Sequence, residues 1–255
     1  MEILVCVKRV PMVGGTIVLT TGGQEVDTRM AGFTVSPHEE CAVEEAVSIT
    51  ERLGGSVSVL TLGPAVASDQ LRESLALGAG HAILLETDGR EWGPVATAAA
   101  IEAQVRRQAA QGPGYDLVLL GNEAADTGDY QVGIRLAHAL GWPCVTGIKK
   151  LEVTPEGVRA GREYRGSEES FEFGLPAVVT VKEGINLPRY PSLPGRLRAK
   201  RAVIEQHEPD WRPDALQKES LRVPETPRTQ ATVLGSGAAA VPALVQVLAE
   251  LGVLP

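Results

Sequence analysis

Aromatic residues make up only 4% of this 255-residue chain, and cysteine, methionine, tryptophan and phenylalanine occur three times each. Cys6, Cys41 and Cys144 are odd in number and far apart, with no CxxC and no ligand-like histidine spacing. That pattern excludes a disulfide framework and argues against a structural zinc site. The histidines, His38, His81, His138 and His207, show no metal-site spacing either. No window approaches the ~18 apolar residues needed to span a bilayer. The opening MEILVCVKRV reaches Lys8 after a short apolar run and has neither the length nor the cleavage pattern of a signal peptide. A cytoplasmic protein with no membrane insertion is therefore expected. A net charge of −8 and a pI near 5.2 argue against a general nucleic-acid binder. There is no GxxxxGK[ST], no GxGxxG after a strand and no GxSxG, and Gly235-Ser236-Gly237 follows no strand signal. No residue of this chain is assigned a catalytic role.

What is present is a chain rich enough in apolar residues, at 44%, to bury a sizeable core. Aliphatic runs at Ile3 to Val7, Val57 to Leu62, Ala82 to Leu85 and Leu117 to Leu120 are continuous rather than alternating, as for strands covered on both faces. Helical patterns lie between them. Ala42, Ala46, Ile49 and Leu53 form one apolar stripe that stops at Gly54-Gly55, and Ser36-Pro37-His38-Glu39 supplies a capping box with proline at the first helical position. Ser68 with Leu71 and Leu75, and Ala98 with Ile101 and Val105, mark two more helices. A fourth is expected over Asp126 to Leu140. This alternation implies parallel βαβ units, with ligands at the carboxyl ends of the strands.

Beyond Trp142 the pattern changes to short, turn-separated segments at Leu151 to Val153, Val158 to Tyr164, Ser170 to Phe173 and Ala177 to Val181. These read as an antiparallel extension of the sheet. Residues 184 to 195 read as a loop with prolines at 188, 191 and 194, followed by a short basic helix or arm carrying Arg196, Arg198, Lys200 and Arg201. Residues 205–240 show little periodicity, and only Pro242 to Leu251 again looks helical. A tail this long, with an apolar end, is expected to wrap a partner subunit.

One segment stands out for ligand binding. In LVLLGNEAADTGDYQV, residues 117–132, a buried strand ends at Gly121 and a small-residue loop leads to a helix expected near Thr127. A helix N-terminus offers unpaired N–H groups and a positive dipole end to a phosphate. An ordinary βα turn with Asp126 as N-cap explains the same spacing equally well. The strand ends near Cys6 and Lys8, the Leu62-Gly63-Pro64-Ala65 turn and Ser36 to Glu39 would border the same crevice. Together they surround a nucleotide without any nucleophile or acid–base pair, so the implied ligand is structural. In GINLPRYPSLPGRLRAKR, residues 184–201, Tyr190 and Leu193 sit between prolines that stiffen the backbone, and the adjacent cations would steer an acidic partner. A solvated proline-rich linker is the alternative.

LPAVVTVKEGINLPRYPSLPGRLRAK, residues 175–200, resembles the signature segment of electron-transfer flavoprotein beta subunits. MEILVCVKRVP, SPHEECAVEEAV and LVLLGNEAADTGD resemble that family's other landmarks in the same order. The resemblance implies a Rossmann-like α/β domain of the adenine nucleotide alpha hydrolase-like type over residues 1–204. The arm, residues 205–255, would pack on an alpha subunit. It implies AMP in this chain, contacted by Cys6, Ser36, Pro37, His38, Glu39, Leu62, Gly121, Asn122, Glu123, Ala124, Ala125, Asp126, Thr127, Gly128, Asp129, Tyr130, Gln131 and Val132. It also implies FAD in the alpha–beta heterodimer and docking of flavin dehydrogenases through Tyr190, Pro191, Leu193, Pro194, Arg196 and Lys200, with Leu193 as the anchor. Glu163 would orient the FAD domain, and electrons would pass to an acceptor of the electron-transfer-flavoprotein–quinone oxidoreductase type. Gln131-Val132 resembles instead the branch whose beta subunit binds a second FAD, with NADH, for electron bifurcation, whereas Asn122-Glu123 departs from that branch and favours AMP. A nucleotide-sensing stress-type α/β protein shares this general architecture.

Overall fold

The computed structural model describes residues 1–12, 14, 17–214, 216–224 and 231–253; positions 215, 225–230, 254 and 255 of the expected C-terminal arm lie outside the described residues. Along the chain the elements are β1 (Glu2–Cys6), β2 (Val10–Pro11), β3 (Phe33–Thr34), α1 (Pro37–Leu53), β4 (Ser56–Gly63), α2 (Ser68–Leu77), β5 (His81–Glu86) and α3 (Pro94–Gln111). There follow β6 (Leu117–Gly121), α4 (Val132–Leu140), β7 (Cys144–Ile148), β8 (Lys150–Thr154), β9 (Gly157–Tyr164), β10 (Ser167–Phe173) and β11 (Ala177–Val181). The last are α5 (Leu193–Arg201), β12 (Glu205–His207) and α6 (Val241–Glu250).

Seven strands form one parallel sheet in the order β12-β5-β4-β1-β6-β11-β7. Successive side chains of each strand point to opposite faces, so Ile3 and Val5 enter one core while Leu4 and Cys6 enter the other. Helices α1, α2 and α5 cover the first face, and α3 and α4 cover the second. Each fully buried Leu, Ile or Val contributes roughly 1.5–3 kcal/mol, which is why the central strands β1, β6 and β11 are apolar along most of their length rather than alternating. Helix α1 follows its sequence signals: Ser36 is the N-cap, Pro37 opens the helix, Ala42, Ala46 and Ile49 are buried, and the chain leaves at Gly54 with φ 77°.

Several elements differ from expectation. Helix α4 begins at Val132, not near Asp126, because Gly128 and Tyr130 take left-handed φ values of 59° and 57° that a right-handed helix cannot contain. The segment Ala177 to Val181 is no antiparallel strand; its five residues are all buried and it runs parallel between β6 and β7. The antiparallel part is a separate three-stranded sheet, β10-β9-β8, turned at Arg165-Gly166, and β2 pairs with β3 in a further small ribbon. In addition, α5 starts at Leu193, inside the stretch expected to be loop, and Glu205 to His207 extend the main sheet as β12. From β1 the chain builds β4 and β5 to one side, then crosses to place β6 on the other side of β1. The strand order therefore reverses beside β1, the position where open α/β sheets bind ligands.

Candidate functional site

A cavity of about 390 Å³ opens at the carboxyl ends of the strands flanking that reversal, within the ~300–1,000 Å³ range of small-ligand sites. Strand β1 delivers Cys6 and the following Lys8 and Arg9, β4 delivers Leu62 and Gly63, and β6 ends at Gly121. Of the residues expected there, Cys6, Glu39, Leu62, Gly121, Asn122, Glu123, Ala124, Asp126, Thr127, Asp129, Tyr130, Gln131 and Val132 line it together. Ser36, Pro37 and His38 form the start of α1 behind Glu39, and Ala125 and Gly128 shape the loop without lining the cavity.

The loop after β6 is built to expose its backbone. Its one internal backbone hydrogen bond runs from Gly128 N–H to Ala124 C=O at 2.9 Å, and Asn122 N–H is used by Val181 C=O. Among the described residues the N–H groups of Asp129 to Gly133 have no partner, and the last of them open α4. Unpaired donors beside a helix N-terminus suit an anion, and the helix start expected near Thr127 lies further along, at Val132. Tyr130, held left-handed without being glycine, marks local strain of the kind concentrated at binding sites. Asp126 is not an N-cap. Its carboxylate meets Lys8 Nζ at 2.7 Å and ties the end of β1 to this loop.

Glu39 is the buried acid of the site. Its Oε2 accepts from Lys8 N–H at 3.0 Å and Ser36 N–H at 3.4 Å; its other oxygen has no protein partner among the described residues. The Ser36 hydroxyl faces the Glu39 amide in capping-box fashion but makes no hydrogen bond of good geometry. Burial pushes the Glu39 carboxyl up from its ordinary value of 4.5 to about 7, with the two N–H donors and the Lys8 charge opposing. Because the folded state then binds the proton more tightly than the unfolded chain, Glu39 favours folding below pH 4.5, and that contribution is lost as pH rises to about 7. Urea unfolding of the nucleotide-free chain should show wild type losing stability relative to Glu39→Gln across this window, by up to about 3 kcal/mol; a difference independent of pH would contradict the burial. Burial likewise pushes the Cys6 thiol far above its usual range, which makes it a small apolar wall residue and not a nucleophile. No group of three or more His, Cys, Asp or Glu among the described residues is placed to hold a metal ion.

The sequence reading missed the far wall, formed by Thr87, Arg90, Glu91 and Trp92 after β5 and by Thr97 and Ile101 of α3. The rule that ligands sit at strand ends applies to β5 as it does to β1, β4 and β6, and would have found them.

The second feature is the segment from Gly184 to Arg201. Leu187, Tyr190 and Leu193 are exposed to 90%, 86% and 71%. Arg189 N–H and guanidinium grip Glu44 of α1 at 2.9–3.2 Å, the guanidinium also reaches Glu51 at 2.6 and 2.9 Å, and Asn186 Nδ2 donates to Cys41 C=O and to Glu45. Ser192 caps α5 by accepting from Gly195 N–H at 3.1 Å, so Leu193 and Pro194 occupy its first turn. Pro191 is half-buried beside this cap, Arg196 lies over the Tyr190 ring at 5.2 Å, and Lys200 is exposed. The apolar side chains are thus presented by a clamped backbone. Glu163 is exposed on β9, 3.6 Å from Lys149. At the C-terminus, no residue of α6 is buried, and Val241, Leu244 and Val245 are about half exposed. No helix among the described residues is long and apolar enough to cross a membrane.

The model of the electron transfer flavoprotein domain matches residues 26–211 of the chain. The electron transfer flavoprotein subunit beta of Bacillus subtilis (strain 168) is 36% identical over 212 residues, 82% of this chain and 80% of that protein. The mitochondrial electron transfer flavoprotein subunit beta of Oryza sativa subsp. indica is 34% identical over 244 residues, covering 92% and 93% of the two chains. The electron transfer flavoprotein subunit beta of Mycobacterium tuberculosis is 34% identical over 208 residues, 80% of this chain and 77% of that protein.

Proposed function

Since the chain belongs to the electron transfer flavoprotein family as a beta subunit, we propose that it is the redox-silent half of a heterodimeric carrier and holds AMP structurally. The observation that carries this reading is the cavity itself: unpaired backbone donors at Asp129 to Gly133, one buried acid, an apolar wall and no nucleophile or acid–base pair. The residues fit a mononucleotide. The N–H groups before α4 would hold its phosphate, the Glu39 carboxylate would accept from sugar hydroxyls, and Leu62, Ile101 and Trp92 supply apolar surface for a base. AMP bound there supplies no redox chemistry and adds only the free energy of binding to the folded state.

FAD, held mainly by the alpha subunit, would supply the electron-accepting chemistry of the heterodimer. This chain's own part is placement. The clamped Tyr190 to Lys200 segment docks flavin dehydrogenases such as acyl-CoA dehydrogenases, with Leu193 entering a pocket of the partner and Arg196 and Lys200 at the rim. Glu163 orients the FAD domain from its exposed position on β9. The arm beyond residue 205, ending in the uncovered α6, packs on the alpha subunit. In the cytoplasm such a carrier would pass electrons on to a quinone-oxidoreductase-type acceptor and the respiratory chain.

A second reading, a bifurcating beta subunit with a second FAD, is favoured only by Gln131-Val132 at the mouth of α4. FAD has more than twice the non-hydrogen atoms of AMP, and a cavity of about 390 Å³ suits the smaller ligand. Co-expression with the alpha subunit tests the carrier role. A yellow one-to-one heterodimer, reducible by an acyl-CoA dehydrogenase and its substrate, supports it; a colourless chain that stays monodisperse without a partner and binds ATP supports the stress-protein reading instead.

A further inference from the structure

Helix α3, whose first turn borders the cavity through Pro94 and Thr97, has glycine at its N-cap and no acidic residue in its first turn. Its missing cap comes from a distant part of the chain. Asp214 Oδ1 accepts from Val95 N–H at 3.0 Å, across 119 positions of sequence. A Cβ built on Gly93 would lie 2.3 Å from Asp214 Oδ2, so the carboxylate occupies the space a side chain would need. Nearby contacts fix the same wall: Trp211 Nε1–H donates to Glu91 C=O at 3.1 Å, Lys218 Nζ meets the Glu91 carboxylate at 2.9 Å, and Arg90 lies over the Trp211 ring at 5.5 Å. Arg90, Glu91 and Trp92 all line the cavity.

We propose that residues 211–214 and Lys218 form a strap that sets the far wall of the nucleotide cavity, with Asp214 as its positioning residue. Asp214 does not line the cavity; it acts through the start of α3 and the loop before it. An anionic cap at a helix N-terminus satisfies an orphan N–H and complements the dipole, so its removal frees both the helix start and the 90–93 loop. The strap lies within the arm, residues 205–255, expected to pack on the alpha subunit. Binding free energies are reciprocal, so a nucleotide that favours the seated wall favours the seated strap equally. This inference rests on the nucleotide reading above and extends it to the tail.

The test uses the full-length chain in its heterodimer, stripped of nucleotide, with AMP as the probe. Asp214→Ala and Gly93→Ala, which break the joint from opposite sides, should each weaken AMP binding roughly tenfold, the scale of one lost cap. Asp214→Asn, which keeps an acceptor, should recover most of it. Hydrogen exchange supplies the readout independent of AMP: amides of residues 90–93 and of Val95 should exchange roughly tenfold faster in Asp214→Ala than in wild type. In wild type, AMP should slow exchange at 211–214 and at Lys218. Unchanged affinity in both variants, or unchanged exchange at 90–93 and Val95 in Asp214→Ala, overturns the strap. If wild type takes up no AMP, the nucleotide reading falls, and the exchange at 90–93 and Val95 alone then decides whether the strap holds this wall.

Discussion

Replacing Leu193 with alanine is expected to lower the kcat/KM for reduction by a partner dehydrogenase by roughly 30-fold or more, with FAD content unchanged. Leu193 is 71% exposed at the first helical position of α5, so truncating it removes almost no internal packing, and surface changes of this kind move stability by less than about 0.5 kcal/mol. Alanine is also a good residue for a first helical turn. What the substitution removes is the apolar knob. Anchors that fill a partner's pocket carry about 2 kcal/mol or more of binding, which corresponds to that loss in rate at low substrate. Loss of FAD instead would assign this surface to subunit assembly.

Replacing Arg189 with alanine should lower stability by about 2 kcal/mol at pH 7, below the ~3–5 kcal/mol of a fully buried pair because the guanidinium is partly exposed. Glu44 is buried. Burial pushes its carboxyl up, but the Arg189 hydrogen bonds and charge outweigh that and hold it below the ordinary carboxylate value. A depressed folded-state pKa contributes stability that is present above the unfolded value of 4.5 and is lost as pH falls through the folded one. The difference between wild type and Arg189→Ala should therefore shrink as urea midpoints are followed from pH 7 down to acid. A difference that stays constant with pH would contradict the ion pair. The same change frees the loop that presents Tyr190 and Leu193, so docking must bear the cost of ordering it. Arg189→Lys should recover little, because an ammonium cannot fork between Glu44 and Glu51 as the guanidinium does.

The contrast between α1 and α4 shows what was legible in the chain and why the rest was not. Ser36, Pro37, Glu39 and the Ala42–Ala46–Ile49 stripe all act within a few residues of one another, so helix, start and buried face could be read directly. The start of α4 depends on Gly128 and Tyr130 turning left-handed, a backbone choice that spacing does not announce for a tyrosine. Strand β11 was seen as a strand, yet its place between β6 and β7 follows from pairings across dozens of residues. β12 is a three-residue polar edge strand whose only signal is its pairing with β5. The cavity followed from the rule about strand ends, and its near wall was found for that reason. The far wall, the Asp214 cap and the Arg189 clamp rest on contacts 119 and 145 residues apart, which periodicity cannot reach. Residues 184–201 stand out only through family resemblance; composition alone leaves them a proline-rich linker.

Acid extraction and chromatography of the purified heterodimer test the central claim, that this chain holds a structural mononucleotide beside an alpha subunit carrying FAD. The account predicts one AMP and one FAD per heterodimer. Two FAD with no AMP would contradict it and make the chain a bifurcating beta subunit.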